Sequence, residues 1–146
     1  MRLYLAASSA ELDRARLWRD RCVSAGIEVV STWIESVLRV GASNPRDASR
    51  DQRTVWARTC LDEIERLRRE DAFWLLWPTV KTETGALIEL GYMLGAWCQP
   101  GPWHHILISG DTKRSIFCAL GREYATDEEA FAAIVAEAST KRKEME

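Results

Sequence analysis

Apolar and polar positions along this chain fall into blocks of two periods, one near two residues and one near four, and the blocks alternate. Residues 2–7, RLYLAA, form a short β-favouring run that stops at Ser8-Ser9. Residues 11–25 then carry helical spacing through Leu12, Ala15, Leu17, Trp18 and Cys22, with Ser8 or Ser9 as N-cap and Gly26 closing the helix. Residues 27–34, IEVVSTWI, are rich in β-branched and aromatic side chains and predict a second strand. The polar stretch 39–53, with Gly, Asn-Pro and several Ser and Arg, predicts a loop placed where a lid would lie. Helical spacing returns over 54–69 through Val55, Trp56, Cys60, Leu61, Ile64 and Leu67. The run AFWLLW, stopped by Pro78, predicts a strand covered on both faces.

Residues 79–83 read as a polar turn, 84–97 as a helix and 104–109 as a fourth strand. A short helix over 114–120 and a fifth strand around Glu123 and Tyr124 follow. A last helix over 127–141 has Thr126 as cap and Glu129 at its third position. Strands separated by helices predict an α/β fold: a doubly wound, Rossmann-like or flavodoxin-like parallel sheet of five strands with helices on both faces, in a single domain over 1–146. Ligands of such sheets bind outside the carboxyl ends of the strands. Ser8 and Ser9, Glu35, residues 79–83 and residues 109–111 fall there.

Composition narrows the function. With 47% hydrophobic and 29% charged residues among 146, the chain has the make-up of a packed domain and not of a disordered one. A net charge of −2 offers no concentrated basic surface for a nucleic-acid polymer, which points to a small-molecule ligand. Cys22, Cys60, Cys98 and Cys118 form no CxxC pair, so buried free thiols are expected in place of a zinc site or a redox dithiol. His104 and His105 open a strand without further ligands nearby in sequence, so no metal site is expected. No apolar run reaches the length of a membrane span, and the chain moves from Met1 straight into a strand pattern, so a cytoplasmic protein without membrane partners is expected.

One residue stands out. Glu89 lies in the apolar stretch Ala86-Leu87-Ile88-Glu89-Leu90-Gly91 near the start of a helix expected to pack on the sheet. Such a carboxylate is paired, raised in pKa or used chemically. Equally, it reads as an exposed helical glutamate favoured by the positive end of the helix dipole. Glu83, six residues earlier, is a second carboxylate that a turn could bring to the same pocket, the arrangement that acid–base and nucleophilic chemistry at a glycosidic bond requires. Trp33, in Ser31-Thr32-Trp33-Ile34, is a candidate for stacking on a nucleobase.

The segments Leu3-Tyr4-Leu5-Ala6, Asp62 followed by Asp71 before the third strand, and Gly85-Ala86-Leu87-Ile88-Glu89-Leu90-Gly91-Tyr92 resemble, in pattern and order over most of the chain, the nucleoside 2-deoxyribosyltransferase-like family, which includes nucleoside deoxyribosyltransferases and nucleotide N-glycosidases. The resemblance implies that Glu89 is the nucleophile at the sugar C1′ and that Tyr4 orients it. It implies that Asp62 contacts the base or its leaving nitrogen and that Glu83 stands where the transferases carry an Asp for proton transfer. Gly85 opens the nucleophile motif, and Ser8 and Ser109, at strand ends, are candidate substrate contacts. Lys113-Arg114-Ser115 resembles the segment by which the nucleotide hydrolases reach the 5′-phosphate, making Arg114 and Ser115 phosphate contacts. The expected function is cleavage or transfer of the N-glycosidic bond of a nucleoside or, preferred, a nucleoside 5′-monophosphate, with no metal or organic cofactor. A non-catalytic nucleotide-binding module using the same pocket is the alternative. The resemblance also implies a homodimer or higher homo-oligomer; helix 84–97, small on one side and aromatic on the other, is the interface candidate.

Overall fold

The computed structural model describes residues 1–40, 48–79, 85–96 and 105–145. In chain order the elements are β1 (Arg2–Ala6), a 3-10 turn (Ser9–Glu11), α1 (Leu12–Ser24), β2 (Glu28–Val29), α2 (Trp33–Val40), α3 (Arg50–Glu65), β3 (Ala72–Leu76) and α4 (Gly85–Ala96). β4 (Ile106–Ser109), two further 3-10 turns (Thr112–Arg114 and Ile116–Leu120), β5 (Arg122–Tyr124) and α5 (Asp127–Met145) complete it.

All five strands are parallel, in the order β2-β1-β3-β4-β5. The protein is a doubly wound α/β fold with the flavodoxin-like order, whose switch point lies between β1 and β3. Register pairs Tyr4 with Phe73 and Leu5 with Trp74, so alternation sends these two pairs to opposite faces. On one face Trp74 meets Trp18 of α1 edge-on at 5.4 Å, and Trp18 meets Phe131 of α5 at 5.6 Å. On the other, the Tyr4 ring stacks on Phe73 at 5.6 Å beneath α3 and α4. Every residue of β3 is buried, as the unbroken apolar run required. No helix among the described residues is long and apolar enough to cross a membrane.

Three local expectations change. The strand expected over 27–34 is only Glu28–Val29, and Trp33 opens a helix instead of ending a strand. After Val30 N–H bonds the Leu3 carbonyl, the Ser31 hydroxyl replaces the backbone by accepting from Leu5 N–H at 3.1 Å, and the Thr32 carbonyl accepts from Ser36 N–H to start α2. The ladder ends because a side chain takes over its acceptor. The loop expected over 39–53 is shorter at both ends, since α2 runs to Val40 and α3 begins at Arg50, with 41–47 outside the described residues. A capping box starts α3 there: Ser49 Oγ accepts from Gln52 N–H and Gln52 Oε1 accepts from Ser49 N–H. The short helix expected over 114–120 is a pair of 3-10 turns. The expected cap of α5 stands, with Thr126 Oγ1 accepting from Glu129 N–H and Glu129 Oε2 accepting from Thr126 N–H.

At the carboxyl edge, Gly110 has φ 115, and a Cβ there would stand 3.1 Å from Trp77 Cβ, so glycine is required where the chain leaves β4.

Candidate active site

α4 follows β3 and crosses the face of the sheet carrying Tyr4, beside the switch point. It is apolar except for Glu89, one turn in from its start. The Tyr4 hydroxyl donates to Glu89 Oε1 at 3.0 Å. Tyr4 is fully buried, so its phenol is fixed by the stack on Phe73 and has little rotational freedom.

Cys60 of α3 stands against both groups, and burial pushes its thiol up to about 12, helped by the neighbouring carboxylate; it is a neutral thiol, not a thiolate. Burial likewise raises Glu89 to about 7; the hydrogen bonds from Tyr4 and Cys60 pull it down, and the charge of Glu63 pushes it up. A carboxyl balanced near neutrality exchanges its proton readily. Tyr4 is raised by burial and by Glu89, so its proton stays on oxygen and points at the carboxylate.

Glu63 is the second carboxylate of this cluster. It accepts from Thr32 Oγ1 at 2.5 Å and from Thr32 N–H at 3.2 Å, tying α3 to the start of α2, and burial raises its pKa despite those bonds. Between α2 and α3, Trp33, Val37 and Trp56, with the hydroxyl-bearing Thr32, Ser36 and Thr59, enclose a small cavity of about 40 Å³ that ends on Cys60. It has room for a few water molecules.

The other candidate residues are dispersed. Asp62 is exposed on α3, although Glu63 beside it turns inward. Glu83 lies outside the described residues. Gly85 begins α4 with open space around its Cα. Trp33 is buried, and its indole N–H donates to the Leu5 carbonyl at 2.8 Å, which fixes it as a wall of the cavity. Ser8 is buried and caps the 3-10 turn by accepting from Ala10 N–H. Ser115 caps the last 3-10 turn by accepting from Phe117 N–H, and Arg114 ends the turn before it. Ser109 is buried, accepting from Trp74 Nε1 at 2.9 Å and donating to Asp127 Oδ1 at 2.6 Å on the α1 and α5 face, away from Tyr4 and Glu89.

Sequence reasoning missed Glu63 and Cys60 as site residues. Their spacing of three, in phase with buried Ile64 and Leu67, is the helical signal that places them inward. Among the described residues no group of three or more His, Cys, Asp or Glu side chains is arranged to hold a metal ion. Cys98 and His104 lie outside the described residues. Comparison with family models, with curated proteins and with solved structures finds no match to this chain.

Proposed function

We propose that the protein cleaves the N-glycosidic bond of a nucleoside or, preferentially, a nucleoside 5′-monophosphate, with Glu89 as nucleophile. The observation that carries this reading is the single carboxylate of an apolar helix, enclosed against the sheet and met at 3.0 Å by a buried phenol that cannot itself ionise near neutrality. The resemblance of residues 85–92 to the nucleoside 2-deoxyribosyltransferase-like family supports the same role. In the first step a Glu89 oxygen bonds to C1′ as the C1′–N bond breaks, through an oxocarbenium-like transition state, and the departing base takes a proton. In the second, water attacks C1′ and releases Glu89, or an acceptor base does so and transfer results. Glu63 suits the proton-donating role better than Asp62, because its charge acts on Glu89 and burial raises its own pKa. Glu83 is the other candidate for that proton.

The test is base release, followed by chromatography, from a panel of nucleosides and 5′-monophosphates with and without added free base. Release from a monophosphate alone supports hydrolysis; release that needs the added base makes the protein a transferase; binding without release leaves a nucleotide-binding module. Since Glu89 must be ionised to attack, kcat/KM is expected to rise with pH up to about 7 and then level off. Tyr4→Phe removes a bond that favours the carboxylate, so this limb is expected to move to higher pH and kcat/KM to fall by about ten- to a hundredfold. A profile unchanged in Tyr4→Phe would remove Tyr4 from the mechanism.

We also place a second copy of the chain on the outer face of α4, where Gly85, Ile88 and Gly91 are exposed and Ile88 is 65% accessible. An almost wholly apolar helix is ordinarily covered all round. Ile88→Lys is expected to give a monomer where the wild type gives a dimer, read by light scattering after size exclusion. We place the protein in the cytoplasm, where the buried thiols of Cys22, Cys60 and Cys118 stay reduced.

A further inference from the structure

The described arginines differ in what they hold: some pair with a carboxylate, Arg142 holds the Ala25 and Gly26 carbonyls, and others hold neither. Arg2, Arg14, Arg19, Arg21 and Arg122 each hold a carboxylate. Arg50, Arg53 and Arg58, all exposed on α3, make no side-chain hydrogen bond or ion pair among the described residues. Unpaired surface arginines are common, and their number alone means nothing; the position of Arg53 is what matters. Residues 53, 56 and 60 are spaced i, i+3 and i+7, which puts Arg53, Trp56 and Cys60 on one side of α3. Arg53 and Cys60 differ by about 20° around the axis and by about 10 Å along it. Cys60 is the residue that abuts Tyr4 and Glu89, and Trp56 and Cys60 line the same cavity. The row therefore runs from a guanidinium without a partner among the described residues at its outer end to the Glu89 carboxylate at its inner end. Arg50, one turn further out, flanks the same face.

We propose that Arg53, seconded by Arg50, is the subsite for the phosphate monoester of the substrate, so that the protein selects nucleoside 5′-monophosphates over nucleosides. This assignment rests on the reading of Glu89 as the group that meets C1′. A pentose with C1′ at Glu89 carries its 5′-phosphate away from the anomeric carbon, and an extended arginine two turns out along α3 covers the remaining distance. The guanidinium fork matches a phosphate dianion with two parallel hydrogen bonds, which a neutral nucleoside 5′-hydroxyl does not repay. The contact lies on α3 and not at Arg114 and Ser115, whose segment is the one the family resemblance implied.

The experiment compares kcat/KM for one nucleoside and its 5′-monophosphate in the wild type, Arg53→Ala, the Arg50→Ala/Arg53→Ala double variant and Arg58→Ala. Arg58 points about 140° away from Arg53 around the helix and is the control. The ratio of monophosphate to nucleoside is expected to fall about tenfold in Arg53→Ala, further in the double variant, and not at all in Arg58→Ala. A second measurement needs no turnover: inorganic phosphate is expected to raise the melting temperature of the wild type and not that of Arg53→Ala. A monophosphate preference or a phosphate-induced shift that persists in Arg53→Ala overturns the subsite while leaving Glu89 in place. A phosphate shift confined to proteins with Arg53, without base release from any substrate, upholds the subsite and overturns the reading of Glu89. Neither release nor shift overturns both.

Discussion

Glu89→Gln is expected to abolish base release, lowering kcat by about 10⁴-fold or more, while making the folded protein more stable above neutral pH. The two effects have one cause. Enclosure raises Glu89 from 4.5 to about 7, which amounts to roughly 3 kcal/mol held against the ionised form. Between those values the folded protein binds this proton more tightly than the unfolded chain, so Glu89 makes stability fall as pH rises through the window. Glutamine keeps an acceptor for the Tyr4 hydroxyl and has no charge to desolvate. Melting temperatures measured from pH 5 to 8 should therefore decline for the wild type relative to Glu89→Gln, most steeply between about pH 5 and 7. A Glu89→Gln protein that still releases base would refute the nucleophile assignment. One that is inactive but less stable than the wild type at pH 8 would show that the carboxylate serves the fold.

Asp127→Ala is expected to be the most destabilising single change on the opposite face, at about 3–5 kcal/mol and a loss of about 10 °C in melting temperature. Asp127 opens α5 and accepts from Arg14 Nε and Nη2, each at 2.8 Å, from Trp18 Nε1 at 2.9 Å and from Ser109 Oγ at 2.6 Å. Removing it leaves a half-buried guanidinium and two buried donors without their acceptor, and truncating one partner of such a set costs far more than the set contributes against apolar replacements. Burial works to raise the pKa of Asp127, but the bonds from Arg14 and Ser109 prevail and hold it below 3.8. Its contribution is thus present above about pH 4 and disappears as pH falls through the lower folded-state value. Thermal unfolding of Asp127→Ala and Asp127→Asn at pH 7 checks the magnitude, and a loss below about 1 kcal/mol would mean that α1 and α5 are held by their tryptophan and phenylalanine contacts alone. Base release per folded molecule should survive, because none of these groups faces Glu89.

The alternation of apolar runs and helical spacing was enough to establish an all-parallel, doubly wound sheet, because β3, β4 and β1 from Leu3 onward are buried and such strands write continuous apolar runs into the chain. The cap at Thr126 was legible for a similar reason, since the reciprocal Thr126 and Glu129 bonds involve neighbours only. Glu89 was legible as an anomaly, a charge in an apolar helix, and its likeness to a nucleophile motif suggested Tyr4 as its partner; that the two oxygens stand 3.0 Å apart depends on β1 and α4, which are 85 residues apart at this contact.

Where a side chain displaced the backbone, local pattern was insufficient. The run 27–34 has strand composition, yet Ser31 accepts from Leu5 and Trp33 donates to its carbonyl, and those partners belong to β1. Asp62 and Glu63 are adjacent, so they differ by about 100° around α3, and only the packing of α3 against the start of α2, where Thr32 holds Glu63, decides which of them is turned in. Ser109 could be read as a ligand contact because it ends a strand; α5 crossing beneath it turns its hydroxyl to Asp127 instead. The sequence by itself determined which segments are strands and helices and which residue breaks the apolar rule, since periodicity and burial are properties of one segment. Tertiary structure alone decided which polar groups meet, because each such meeting joins elements whose relative position no single segment encodes.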